Sequence, residues 1–61
     1  MTYQFSSIES LREANGQLSK HFSGNGRHYE YNPHSLTIEI LYTCPDTGLA
    51  EQICQACGGY R

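Results

Sequence analysis

Residues 27–44, "RHYEYNPHSLTIEILYTC", decide the fold. Leu36, Ile38, Ile40, Tyr42 and Cys44 alternate with Thr37, Glu39, Leu41 and Thr43, the period-two pattern of a strand with one apolar face. A shorter run precedes it, in which Tyr29 and Tyr31 alternate with His28 and Glu30. Between the two runs lies "NPHS", residues 32–35, whose Asn-Pro chemistry suits a hairpin loop of about four residues. The expected element is a β-hairpin, with Tyr42 continuing the core row of Leu36, Ile38 and Ile40.

Upstream, Ile8, Leu11, Ala14, Leu18 and Phe22 fall at steps of three and four and draw one apolar stripe, which predicts a helix over residues 6–22. Ser6 and Glu9 have the spacing of a capping box at its start. Gly16 is a weak point inside it, costing about 1 kcal/mol relative to Ala. "SGNG", residues 23–26, supplies glycines for a left-handed stop.

Downstream, "CPDTG" (44–48) reads as a turn, and "LAEQICQACG" (49–58) fits two templates. As a helix it gathers Leu49, Ala50, Ile53, Cys54 and Cys57 on one side, with Thr47 capping the start and Gly58 ending it. As a strand it sets Leu49, Glu51 and Ile53 against Ala50, Gln52 and Cys54. Ala, Glu and Gln favour the helix. The fold class expected is therefore α+β: an N-terminal helix packed on a β-hairpin or small antiparallel sheet, with a short C-terminal helix or Cys-containing turn. Residues 1–61 form a single small domain.

A chain of 61 residues has a thin core, since a domain of this size buries only about 60% of the surface its unfolded form exposes. Additional support is expected from a metal, a disulfide, a homodimer or a larger partner. Four Lys and Arg stand against six Asp and Glu, for a net charge of −2, and Arg12, Lys20, Arg27 and Arg61 are scattered. That pattern lacks the basic footprint of a nucleic-acid binder, so no direct nucleic-acid contact is expected, whereas the basic surface of another protein is an electrostatically suitable partner. No basic and apolar leader opens the chain and no run of about eighteen apolar residues occurs, so a cytoplasmic protein with no membrane partner is expected. In a reducing compartment three cysteines point to free thiols or metal ligands.

The cysteines offer the sharpest chemical alternative. "CQACGG", residues 54–59, resembles one half of a zinc ribbon, in which two thiolates bind the ion and a following glycine relieves the turn. In "CPDTG", Thr47 stands where the partner cysteine of the second half belongs. Cys44, Cys54 and Cys57 would thus need a fourth ligand, His34 being the candidate and His28 and Asp46 the substitutes. The competing reading packs Cys44 and Cys54 as small apolar residues. A redox role for Cys54 and Cys57 lacks the following helix whose dipole would activate a thiol.

No catalytic constellation appears: His21, His28 and His34 are not brought near Cys44 by any local spacing, and an enzyme is not expected. The five tyrosines are the other resource. Tyr29 and Tyr31 share a face, and the same residues suit either a binding hot spot or the cover of the helix. With the acidic positions Glu30 and Glu39, they are the candidate partner-binding residues. The function expected is a small protein-binding module acting as an inhibitor or adaptor, a style of protein that includes the antirestriction and anti-CRISPR proteins of phages and mobile elements. A zinc-stabilised module is the alternative.

Overall fold

The computed structural model describes all 61 residues. Its elements run β1 (Thr2–Gln4), α1 (Ile8–Ser19), β2 (Tyr29–Asn32), β3 (Thr37–Ile40) and α2 (Thr47–Ala56). The three strands form one antiparallel sheet in the order β1-β3-β2, and both helices cover one side of it. This is the α+β architecture that the alternation and the helical stripe predict. The strand β1 is an addition to the hairpin. Its signal is small but present, because Tyr3 and Phe5 alternate with Thr2 and Gln4 and both rings end up buried.

Register sorts the side chains. Tyr3 and Tyr31 both oppose Ile38, and Tyr29 opposes Ile40, so these residues share the face turned to the helices. They join Phe5, Leu11, Ala14, Leu18, Phe22, Cys44, Ala50 and Cys54 in the core. Two tyrosine hydroxyls lie at the layer boundary, one over each helix. Tyr3 donates to Glu51 Oε1 at 3.1 Å and accepts from Gln55 Nε2 at 3.2 Å, while Tyr29 donates to Asn15 Oδ1 at 3.1 Å. Each ring is thereby buried without an orphaned polar atom.

The helix boundaries differ from expectation by short steps. In α1 the cap is Ser7, not Ser6: its Oγ accepts from the Ser10 amide at 3.2 Å, so Glu9 takes no part in a capping box. The helix ends at Ser19 with Lys20 as its C-cap, before the glycines of 23–26. Those glycines serve another turn. Asn25 (φ 58°) and Gly26 (φ 80°) are both left-handed, and the Arg27 amide closes the turn on the Gly24 carbonyl at 3.3 Å.

In α2 the helical template prevails, with Asp46 as the cap in place of Thr47, its Oδ1 accepting from the Leu49 amide at 3.1 Å. Its end is a Schellman motif. Gly58 is left-handed (φ 93°) and donates to Gln55 O at 3.1 Å, and Gly59 donates to Cys54 O at 2.8 Å. The chain then reaches β1, where Gln4 and Tyr60 exchange backbone bonds of 2.7 and 2.9 Å.

The long strand stops early. Cys44 N donates to Leu41 O at 3.0 Å, closing a tight turn, so β3 ends at Ile40. Tyr42, expected in the core row, lies at the tip of that turn and is 96% exposed. Leu36 also leaves the strand: it sits in the hairpin turn at φ 56°, a left-handed position costing an L residue about 1–2 kcal/mol. Its carbonyl accepts from the Phe5 amide at 2.8 Å, and its side chain packs on the core, which offsets that cost.

Candidate protein-docking face

The hairpin's four candidate binding residues divide between two faces. Tyr29 is buried at 3% exposure and Tyr31 is half-buried against the core, so both belong to the packed layer. Glu30 and Glu39 point the other way, onto the side of the sheet that no helix covers. There they are direct partners across β2 and β3.

That open face is a grid set by register. One row runs Thr2, Glu39, Glu30, and the next runs Tyr60, Gln4, Thr37, Asn32. The His28 carbonyl accepts from the Leu41 amide at 3.1 Å, which fixes the phase of the β2–β3 ladder. Glu30 and Glu39 are consequently a hydrogen-bonded pair, with Cα atoms about 5.5 Å apart. Like charges placed directly opposite destabilise a sheet by roughly 0.2–1 kcal/mol. None of the chain's Lys or Arg side chains occupies a position in either row, and the Met1 ammonium lies one position along from the Glu39 row, donating to Ile40 O at 3.0 Å. Arg12 and Lys20 belong to α1 and its cap, Arg27 to the loop before β2, and Arg61 to the residue after Tyr60.

The face continues around the β2 edge into a shallow polar cleft of about 240 Å³ lined by Asn25, Gly26, Glu30, Tyr31 and Asn32. At the other edge Tyr60 is 54% exposed. The helix layer carries a second open depression between α1 and α2, lined by Glu13, Gln17, Ile53, Ala56 and Cys57.

Among the candidate zinc ligands Cys54 and Cys57 lie close enough to interact, but no group of three or more His, Cys, Asp or Glu side chains is positioned to hold a metal ion. Cys44 and Cys54 are buried free thiols, and Cys57 is a half-buried one at the C-cap of α2. His34 sits exposed in the hairpin turn. The two substitutes have other partners: Asp46 caps α2, and His28 Nδ1 accepts from the Ser23 amide at 3.0 Å. "CGG", which suggested a zinc knuckle, is the helix stop described above.

Thiol electrostatics run against a redox pair. Burial pushes the Cys54 thiol up to about 12, with smaller contributions from Cys57 and Glu51. Burial and then Glu13 raise Cys57. An activated dithiol needs the opposite shift, supplied by a helix N-terminus, whereas these thiols end one.

The fold and face together define a class: a two-layer α+β miniprotein whose sheet is bare on one side and acidic at its centre. Comparison with protein-family models, curated proteins and solved structures finds no match for this chain. No helix is long and apolar enough to cross a membrane.

Glu30 and Glu39 were legible as a pair of acidic strand residues, but their opposition was not, because it depends on the hairpin register. Tyr60 is one of the five tyrosines, but local pattern does not place it on this face. The signal that could have found it is the Gly-Gly before it, which turns the chain end back toward β1.

Proposed function

We propose that this protein is a small non-enzymatic binding module, acting in the cytoplasm as an inhibitor or adaptor by docking its open sheet face on another protein. One observation carries the reading: Glu30 and Glu39 stand directly opposed on the uncovered face, with no Lys or Arg side chain in their rows. A free monomer bears that repulsion, and a protein partner of opposite charge relieves it. The face also has the makings of an interface in its exposed aromatic, Tyr60, and its hydrogen-bonding rim of Thr2, Gln4 and Asn32. The helix layer has its apolar stripe already committed to the core.

A photo-cross-linking amino acid in place of Thr2 tests the reading, with the same group in place of Arg12 on exposed α1 as the counterpart. A partner adduct formed through position 2 and absent through position 12 supports it. Adducts formed only through position 12 overturn it.

A further inference from the structure

The chain has three asparagines, and the fold treats them differently. Asparagine followed by glycine is the pair most prone to close on itself, because glycine has no Cβ to hinder its amide nitrogen from reaching the neighbouring side-chain carbonyl carbon. Two such pairs occur, Asn15-Gly16 and Asn25-Gly26, whereas Asn32 precedes Pro33, which has no N–H to give up. Independently of the docking reading, we infer that Asn25-Gly26 is a site of spontaneous covalent modification, converting to aspartyl and isoaspartyl forms, and that the fold keeps Asn15-Gly16 intact.

The reaction consumes only water. The Gly26 amide nitrogen loses its proton and bonds to Asn25 Cγ, while the side-chain nitrogen takes up a proton and leaves as ammonia. One water then opens the succinimide ring at either carbonyl. Opening at Cγ leaves an aspartate in the normal main chain, and opening at the Asn25 backbone carbonyl routes the main chain through Cβ. Nothing is oxidised or reduced, and the chain adds one negative charge to its −2.

Access separates the two pairs. Asn25 and Gly26 are exposed at a turn tip held by two backbone bonds, Gly26 N to Tyr29 O at 3.2 Å and Arg27 N to Gly24 O at 3.3 Å. Ring closure frees the first bond and turns the peptide. The base of the loop, where His28 N donates to Ser23 O at 3.0 Å, lies outside that motion, so only an exposed tip has to open. Asn15-Gly16 lies in the middle of α1, where freeing the Gly16 nitrogen breaks the helical ladder from within. Asn15 Oδ1 is also held by the Tyr29 hydroxyl at 3.1 Å. The product alters the β2 edge. Glu30 Oε2 lies 3.4 Å from the place a Cβ on Gly26 would take, so the new carboxylate arises beside an existing one, in the cleft that Asn25 and Glu30 both line.

Trypsin separates the sites, since cleavage after Arg12, Lys20 and Arg27 puts Asn15 in "EANGQLSK" (13–20) and Asn25 in "HFSGNGR" (21–27). The full chain is incubated at mildly alkaline pH, sampled over time and digested briefly in mildly acidic buffer. Chromatography with mass spectrometry resolves the amide, aspartyl and isoaspartyl forms of each peptide, with the digest of Asn25→Asp as the aspartyl standard. The expected result is conversion of 21–27 at least about tenfold faster than 13–20 in the folded protein, the ratio falling to within about twofold in urea. Comparable rates at the two sites in the folded chain, faster conversion of 13–20, or a ratio unchanged by urea would each overturn the inference. So would a 21–27 peptide that stays unmodified in the folded chain while it converts in urea.

Discussion

Gly59 lies against Phe5: a Cβ added at Gly59 would come within 2.8 Å of the Phe5 ring and equally close to the Cys54 carbonyl. This contact couples three things the sequence leaves separate, namely the end of α2, the first core aromatic and the return of the chain to β1. Gly58 provides the left-handed turn, and Gly59 provides the close approach.

Gly59→Ala should therefore lower stability by about 1–3 kcal/mol, the usual range for overpacking where backbone blocks relaxation. The measurement is the urea midpoint at unchanged m-value. A midpoint equal to the parent's would show that the C-terminal turn does not hold Phe5 in place.

Gly16 behaves oppositely. It is exposed in the middle of α1 with nothing within 4 Å of an added Cβ. Gly16→Ala should raise stability by about 0.5–1 kcal/mol through helix propensity and a less disordered unfolded chain. A decrease in the thermal midpoint would contradict the placement of Gly16 on the solvent side of α1.

Alkaline pH should unfold the protein through Cys54. Its thiol is pushed up to about 12 in the folded state by burial, so between the ordinary thiol value of about 8.5 and that limit the unfolded chain ionises while the folded chain does not. Here the folded state holds the extra proton, so stability falls as pH rises, by at most about 1.4 kcal/mol per pH unit. Below the ordinary thiol value the Cys54 contribution is fully retained. Tyr29, raised by burial, adds to the loss at still higher pH. Cys54→Ala should have lower stability at neutral pH and a flatter alkaline slope, read by denaturant titration across the alkaline range.

The three thiols should react in an order set by access. Cys57 is half-buried, whereas Cys44 and Cys54 are 7% and 0% exposed. A small alkylating reagent should modify Cys57 first, with Cys44 and Cys54 reacting only as the chain unfolds. Peptide mass spectrometry after a timed pulse gives the order. Because the candidate zinc ligands are not grouped, addition of a chelator should leave the melting temperature unchanged.

Charge on the open face should have a measurable cost. Glu39→Lys replaces a repulsive cross-strand pair with an attractive one and should stabilise the free protein by about 0.2–1 kcal/mol, while weakening capture of a basic partner. A destabilised Glu39→Lys would mean that Glu30 and Glu39 do not repel in the folded protein.

The helical stripe of α1 was legible because Ile8, Leu11, Ala14 and Leu18 carry its period in a single local segment, and the alternation of Thr37 to Ile40 was legible for the same reason. Even the ambiguous tail leaned correctly to a helix on propensity. The errors share a cause too. Tyr42 continues the alternation perfectly, yet it is outside the core because the chain must turn at Leu41–Cys44 for α2 to reach the sheet. Pattern extends a strand for as long as the pattern lasts, whereas packing ends it where the partner layer ends.

By itself, then, the sequence determined which segments are helical or extended and which side of each is apolar, since those properties depend on neighbours a few residues apart. Tertiary structure decided what lies across from what. It placed Tyr29 under α1, left no three of Cys44, Cys54, Cys57 and His34 grouped, inserted β3 between β1 and β2, and set Glu30 against Glu39. These are pairings between residues distant in the chain, and only closure of the hydrophobic core fixes the register that makes them.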